Sequence, residues 1–186
     1  MKSLITILLF LLSAVSALAQ SKYFTKSGKI SFFSRSSMEN IEAVNNKVVS
    51  VLDIATGQLE FAVLMKGFEF DRALMQEHFN EDYVESDKYP KAIFKGSVEN
   101  SKAISLTTDN VATVKVSGTL TIHGVTNPIT ATAVITVKNT VVAASCSFTI
   151  TLADYKIIVP AVVAEKINKK IAVVVTIPAY QVMAAK

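Results

Sequence analysis

Apolar and polar residues alternate one by one over long stretches of this chain, and a period of two is the period of a β-strand. Val114, Val116, Gly118, Leu120 and Ile122 alternate with Thr113, Lys115, Ser117, Thr119 and Thr121. Ile129, Ala131, Ala133, Ile135 and Val137 alternate with Thr130, Thr132, Val134 and Thr136. Val142, Ala144, Cys146, Phe148 and Ile150 alternate with Ser145, Ser147, Thr149 and Thr151. Successive side chains of a strand point to opposite faces, so each run has one apolar face and one face of Thr and Ser. The chain is expected to be all-β, with antiparallel strands that keep one side in water.

Turn chemistry divides these runs. His123-Gly124, Asn127-Pro128 and Lys138-Asn139-Thr140 read as breaks. Earlier, Ser27-Gly28 precedes a strand near Lys29–Phe33, Asn45-Asn46 precedes Lys47–Leu52, and Thr56-Gly57 precedes Gln58–Lys66. Lys91–Val98 follows Tyr89-Pro90, and a last strand covers Lys170–Ile177. About eight strands in sequence order, joined by short connections, favour an up-and-down meander. One segment breaks the period. Asp71 to Asn80 reads as a short helix, with Asp71 as its N-cap and Phe70 stapled to Met75. An acidic loop, Glu81 to Tyr89, follows it.

Closing a sheet removes its edges, and eight strands enclose an interior that is either just filled by side chains or just wide enough for one ligand. The inward parity of this chain holds Ala92, Gly96, Gly118, Ala131, Ala133 and Ala144 beside Phe94, Leu120, Ile122, Ile135 and Phe148. Half of that set is too small to fill such a barrel. A long apolar guest would restore the packing that an empty interior forfeits.

The first residues read as a targeting signal. Lys2 precedes an apolar run from Leu4 to Leu12, and Ala17-Leu18-Ala19 offers small residues for cleavage after Ala19. Residues 1–19 are thus expected to be a signal peptide and 20–186 one barrel domain, periplasmic or secreted. The net charge of +4 is scattered, with Lys169-Lys170 the one adjacent basic pair, so no nucleic-acid footprint is read. Cys146 is the one cysteine and reads as a small apolar residue, since a lone Cys has no internal disulfide partner.

Two segments resemble the YceI-like family, described as polyisoprenoid-binding and lipocalin-like. Gly118-Thr119-Leu120-Thr121-Ile122-His123-Gly124-Val125-Thr126-Asn127-Pro128 is similar to that family's G-x-L-T-[IL]-x-G-V-T-x-P segment. Met75-Gln76-Glu77-His78-Phe79, then Tyr83, then Lys88-Tyr89-Pro90-Lys91-Ala92-Ile93-Phe94, is similar to its helix with an internal His followed by K-Y-P-x-A-x-F. Of the family's Asp-Phe-Gly pattern only Asp154-Tyr155 survives. The resemblance implies an extended eight-stranded antiparallel barrel with a short helix near its mouth. It implies an isoprenoid-type lipid, a polyprenyl chain or an isoprenoid quinone, held inside.

The expected function is therefore to bind or carry such a lipid without chemistry. The alternative is a non-catalytic periplasmic scaffold or stress-related binding module with no lipid ligand. The interior lining is expected from Phe94, Gly118, Leu120, Ile122, Ala133, Ile135, Phe148 and Ile150, with Phe68, Phe70, Leu74 and Phe79 near the opening. No cofactor and no metal are expected, because His78 and His123 have no converging ligands in the sequence. No Gly-x-Ser-x-Gly elbow is present, which argues against an enzyme. Membrane contact is expected to be transient at most, since the outward faces carry Thr, Ser and Lys rather than a lipid-facing band. A homodimer is allowed for.

Overall fold

The computed structural model describes residues 22–106 and 108–183. The expected signal segment and its cleavage point lie outside the described residues. Among the described residues nine strands run in chain order as β1 (Lys22–Arg35), β2 (Asn40–Asp53), β3 (Gln58–Leu64), β4 (Glu69–Phe70), β5 (Lys91–Val98), β6 (Asn110–Ile122), β7 (Val125–Lys138), β8 (Val141–Thr151) and β9 (Lys170–Val182). Eight of them close into an antiparallel ring in the order β1-β9-β8-β7-β6-β5-β3-β2, with β1 also pairing β2. The two-residue β4 hangs on the side of β2, Ala43 opposite Phe70. Every ring neighbour is a neighbour in sequence or a chain end, which is the expected meander.

The barrel has two unlike ends. One carries the β2–β3 turn, the β5–β6 connection and the β7–β8 turn. The other carries the β1–β2 turn (36–39), the long excursion 65–90, the β6–β7 turn and the β8–β9 connection (152–169). The hairpin turns β6–β7 and β7–β8 each place two consecutive residues at positive φ: His123 (51°) with Gly124 (72°), and Asn139 (49°) with Thr140 (65°). Such turns match the twist of the strands they join.

Three stretches read as breaks are strand instead. β1 passes through Ser27-Gly28 and β2 through Asn45-Asn46, and the β1–β2 register shifts on both sides of Gly28. This is a β-bulge, so the polar residues serve a kink within paired strands rather than a turn between them. Asn45 is fully buried; its amide donates to the Leu64 carbonyl and its oxygen accepts from the Lys47 N–H, both at 2.9 Å. Pro128 lies inside β7, opposite Thr119 of β6. It is tolerated because β7 pairs with β8 only from Ala133↔Cys146 to Lys138↔Val141. The stretch Val125–Thr132 has no β8 ladder partner; there the Asn127 side chain donates to the Asp154 carbonyl at 2.7 Å.

The helix also differs from expectation. α1 spans Ala73–His78, Arg72 is its N-cap residue, and one π-helical turn continues it over Phe79–Tyr83. Asp71 stands outside it, and no side chain caps it. The Gln76 side chain reaches back to accept from the Phe70 N–H at 3.2 Å, which ties α1 to β4.

Gly96 and Gly118 face each other across β5 and β6. A Cβ on Gly118 would lie 2.4 Å from the Lys95 carbonyl oxygen and 2.5 Å from Gly96 Cα. Both glycines are needed for this close approach, and the Phe94 ring folds over the pair. Gly118→Ala is expected to destabilise the fold by about 2 kcal/mol and to lower the thermal midpoint by roughly 5 °C, read by circular dichroism. An unchanged midpoint would mean that the two strands separate there at no cost.

Candidate functional site

The inner faces of the ring surround one apolar cavity of about 490 Å³, within the usual range for ligand pockets. β9 shows how the strands build it: Ile171, Val173, Val175 and Ile177 are buried and line it, while alternate residues face water. β7 contributes Ile129, Ala131, Ala133 and Ile135, and β8 contributes Ala144, Cys146, Phe148 and Ile150. Four small residues of the inner parity, Ala92, Ala131, Ala133 and Ala144, border the bore.

The floor lies at the end opposite α1. Leu52, Val98, Val142 and Tyr180, from β2, β5, β8 and β9, close it. Tyr180 is the one hydroxyl-bearing ring there, and its oxygen pairs with Ser50 Oγ at 2.8 Å, fully buried. Burial pushes the phenol up to about 12, while the Ser50 bond pulls it back.

The other end is the mouth. Four rings, Phe32, Phe68, Phe70 and Phe79, pack with centroids 5.1 to 5.8 Å apart in tilted and edge-on arrangements. They come from β1, the end of the 3-10 turn after β3, β4 and the end of α1, so the aromatic cluster fixes the excursion 65–90 against the barrel. Around them the cavity wall ends in Glu39, Arg72, Leu74, His78, Lys166 and Ile167. Arg72 donates to Glu39 and fastens the start of α1 to the β1–β2 turn. Asn168 donates from its backbone to Ser34 Oγ at 2.9 Å and from its side chain to the Arg35 carbonyl at 2.8 Å, fastening the β8–β9 connection to the same turn.

Both histidines are engaged. His78 Nδ1 lies 2.7 Å from Asp82 on the surface. His123 is largely buried; its Nδ1 donates to the Tyr155 carbonyl at 3.1 Å and its Nε2 meets Glu85 at 2.6 Å, with the Tyr89 ring edge-on at 4.7 Å. It clamps the β6–β7 turn, the segment after α1 and the turn after β8. Burial pushes the Cys146 thiol up, so the group that lines the cavity stays protonated and weakly nucleophilic. Tyr83, also on the cavity, is raised by burial and then by Asp82. Among the described residues no group of three or more His, Cys, Asp or Glu is placed to hold a metal ion.

Of the residues expected to form the site, Phe68, Phe70, Leu74, Phe79, Phe94, Leu120, Ile122, Ala133, Ile135, Phe148 and Ile150 all border the cavity. Gly118 does not, because the Phe94 ring covers it. A large side chain there would meet backbone rather than fill the bore. Sequence reasoning missed Phe32, Phe61 and the whole β9 face. The parity of Ile30, Phe32 and Ser34, and of Ile171 to Ile177, carried that signal.

A family model for the YceI-like domain matches residues 19–179. A solved polyisoprenoid binding domain from Saccharophagus degradans, implicated in plant cell wall breakdown, is similar at a TM-score of 0.76 and 13% identity, over 88% of this chain and 99% of that one. BcnA of Burkholderia cenocepacia is similar at 0.66 and 15%, over 80% and 94%. A YCEI protein of Campylobacter jejuni follows at 0.51 and 18%, over 75% and 81%. At these identities the likeness is one of fold. No curated protein matches the chain.

The buried Tyr180 has a consequence for alkaline stability. Between pH 10, where an unfolded tyrosine ionises, and about 12, the folded chain retains a proton that the unfolded chain has released. Its contribution is complete below pH 10 and is lost as pH rises toward 12, by roughly 3 kcal/mol in all. Denaturant midpoints measured at about pH 9 and about pH 11 should therefore lie further apart for the wild type than for Tyr180→Phe. Equal gaps would show that the phenol does not stay protonated in the folded barrel.

Proposed function

The chain belongs to the YceI-like domain family, and on that premise we propose that it binds an isoprenoid-type lipid inside the barrel and carries it through an aqueous compartment without altering it. The observation that carries this reading is one continuous apolar cavity, floored at one end and opening beside α1 at the other. Each buried five-carbon unit would contribute about 4 kcal/mol by transfer arithmetic, so a few units offset the ordering of a flexible chain. A polyprenyl tail or an isoprenoid quinone has this chemistry, and the polyisoprenoid binding of the Saccharophagus domain supports the choice. The protonated Cys146 thiol, and His123 with both ring nitrogens engaged in holding turns together, support a binding role over catalysis.

The same reading takes residues 1–19 as an export signal, supported by the apolar run and Ala17-Leu18-Ala19. The protein isolated from its native source should then have an intact mass that begins at Gln20. A mass that includes the leader would overturn export by cleavage.

Organic extraction of that protein, followed by mass spectrometry, should yield an isoprenoid lipid in near-stoichiometric amount. A clean extract, with no uptake of added quinone, would instead favour a binding module without a lipid. Ala133 is buried and borders the bore, so Ala133→Phe should cut uptake at least tenfold while the circular dichroism spectrum is kept. Unchanged uptake by a folded variant would mean that the guest sits elsewhere.

A further inference from the structure

We infer that the mouth of the barrel is a docking surface for an anionic lipid bilayer, with the β8–β9 connection as its main contact. This rests on the carrier reading, to which it adds the place where cargo is exchanged. Four of the five most exposed large apolar side chains of the described residues sit at this one end: Val162 (89%), Ile158 (79%), Leu74 (62%) and Met38 (61%). They come from three separate segments, the β8–β9 connection, α1 and the β1–β2 turn. The Arg72–Glu39 pair and the Asn168 bonds to β1 hold those segments together around the opening. Ile158 and Val162 are flanked by Ile157 and Val163, which turn inward to the cavity. The apolar rim is thus continuous with the apolar bore.

Charge selects the partner. From Leu152 to Lys170 the chain has Lys156, Lys166, Lys169 and Lys170 against Asp154 and Glu165. Among the described residues none of these lysines is in an ion pair. On the α1 side Asp82 pairs with His78, Glu85 with His123 and Lys88, and Asp87 with Lys66, while Asp71, Glu77 and Glu81 have no ion pair among the described residues, so the positive side of the mouth is the β8–β9 connection. Exposed aliphatic tips among unpaired lysines fit the boundary between headgroups and acyl chains of a bilayer with negative surface charge. A soluble protein partner would not require this rim to be continuous with the cavity.

The test uses flotation of the purified protein with vesicles of phosphatidylethanolamine and phosphatidylglycerol, and with vesicles of phosphatidylcholine alone. The protein should float with the first far more than with the second, and added salt should weaken it. Ile158→Glu with Val162→Glu should reduce flotation about tenfold, and Lys156→Gln with Lys169→Gln should reduce it several-fold. None of these four side chains borders the cavity, so uptake of the fluorescent hydrocarbon probe N-phenyl-1-naphthylamine in vesicle-free buffer should stay unchanged in both variants. Failure of the wild type to float, or equal flotation of the folded Ile158/Val162 variant, overturns the docking surface. Flotation that behaves as stated while probe uptake fails in every form overturns the carrier reading and leaves the docking surface standing.

Discussion

A sheet normally ends in two strands with unpaired backbone, and here both ends are the same problem solved once: β1 pairs with β2 on one side and β9 on the other. That double pairing turns a flat apolar face into an enclosed one. Everything else follows from it. Inner residues no longer need to meet a second layer, so Ala131, Ala133 and Ala144 can stay small and border the cavity that the ring encloses. The β1–β2 pairing carries a bulge at Gly28, where a Cβ would lie 2.7 Å from Ile177 of β9. The strand that closes the ring therefore also carries a bulge, which bends it locally.

Much of this was legible from the amino acids, and the exceptions have physical causes. Alternation located β5 to β8 well because those strands have one wet face, where Thr and Ser mark parity. The breaks read at Ser27-Gly28 and Asn45-Asn46 were misread because the same residues that favour turns also favour bulges. Asn45 bonds its own neighbour's N–H as it would in a turn, but within a ladder that continues past it. Pro128 misled for a related reason: a proline excludes itself only from a strand paired on both sides. Asp71 has the chemistry of a helix cap, yet Gln76 supplies the contact that secures the helix start.

The site was legible in composition and less so in membership. A size count on the inner parity pointed to a hollow bore, and of the small residues counted Ala92, Ala131, Ala133 and Ala144 border the cavity while Gly96 and Gly118 do not. Gly118 shows the limit of such counting. A missing side chain leaves room only if nothing else moves into it, and the Phe94 ring does. The mouth was harder still, because Phe32, Phe68, Phe70 and Phe79 meet from four places in the chain, and Glu39, Arg72 and Lys166 join them only through the fold. His123 looked like a turn residue with a spare imidazole; its partners, Glu85 and the Tyr155 carbonyl, are remote in sequence.

The stretch of β7 without a β8 partner is one of the places where the tube is joined by side chains and not by a ladder. From Val125 to Thr132 no ladder bond crosses to β8, and the Asn127 side chain, donating to the Asp154 carbonyl just past β8, bridges the gap. A second such gap lies between β2 and β3, whose ladder runs only from Val49 to Leu52. Along these lines the girth of the tube is held by side-chain contacts instead of a backbone ladder, like a boot laced only part of the way up, so the wall is less stiffly braced there than where the ladder is unbroken.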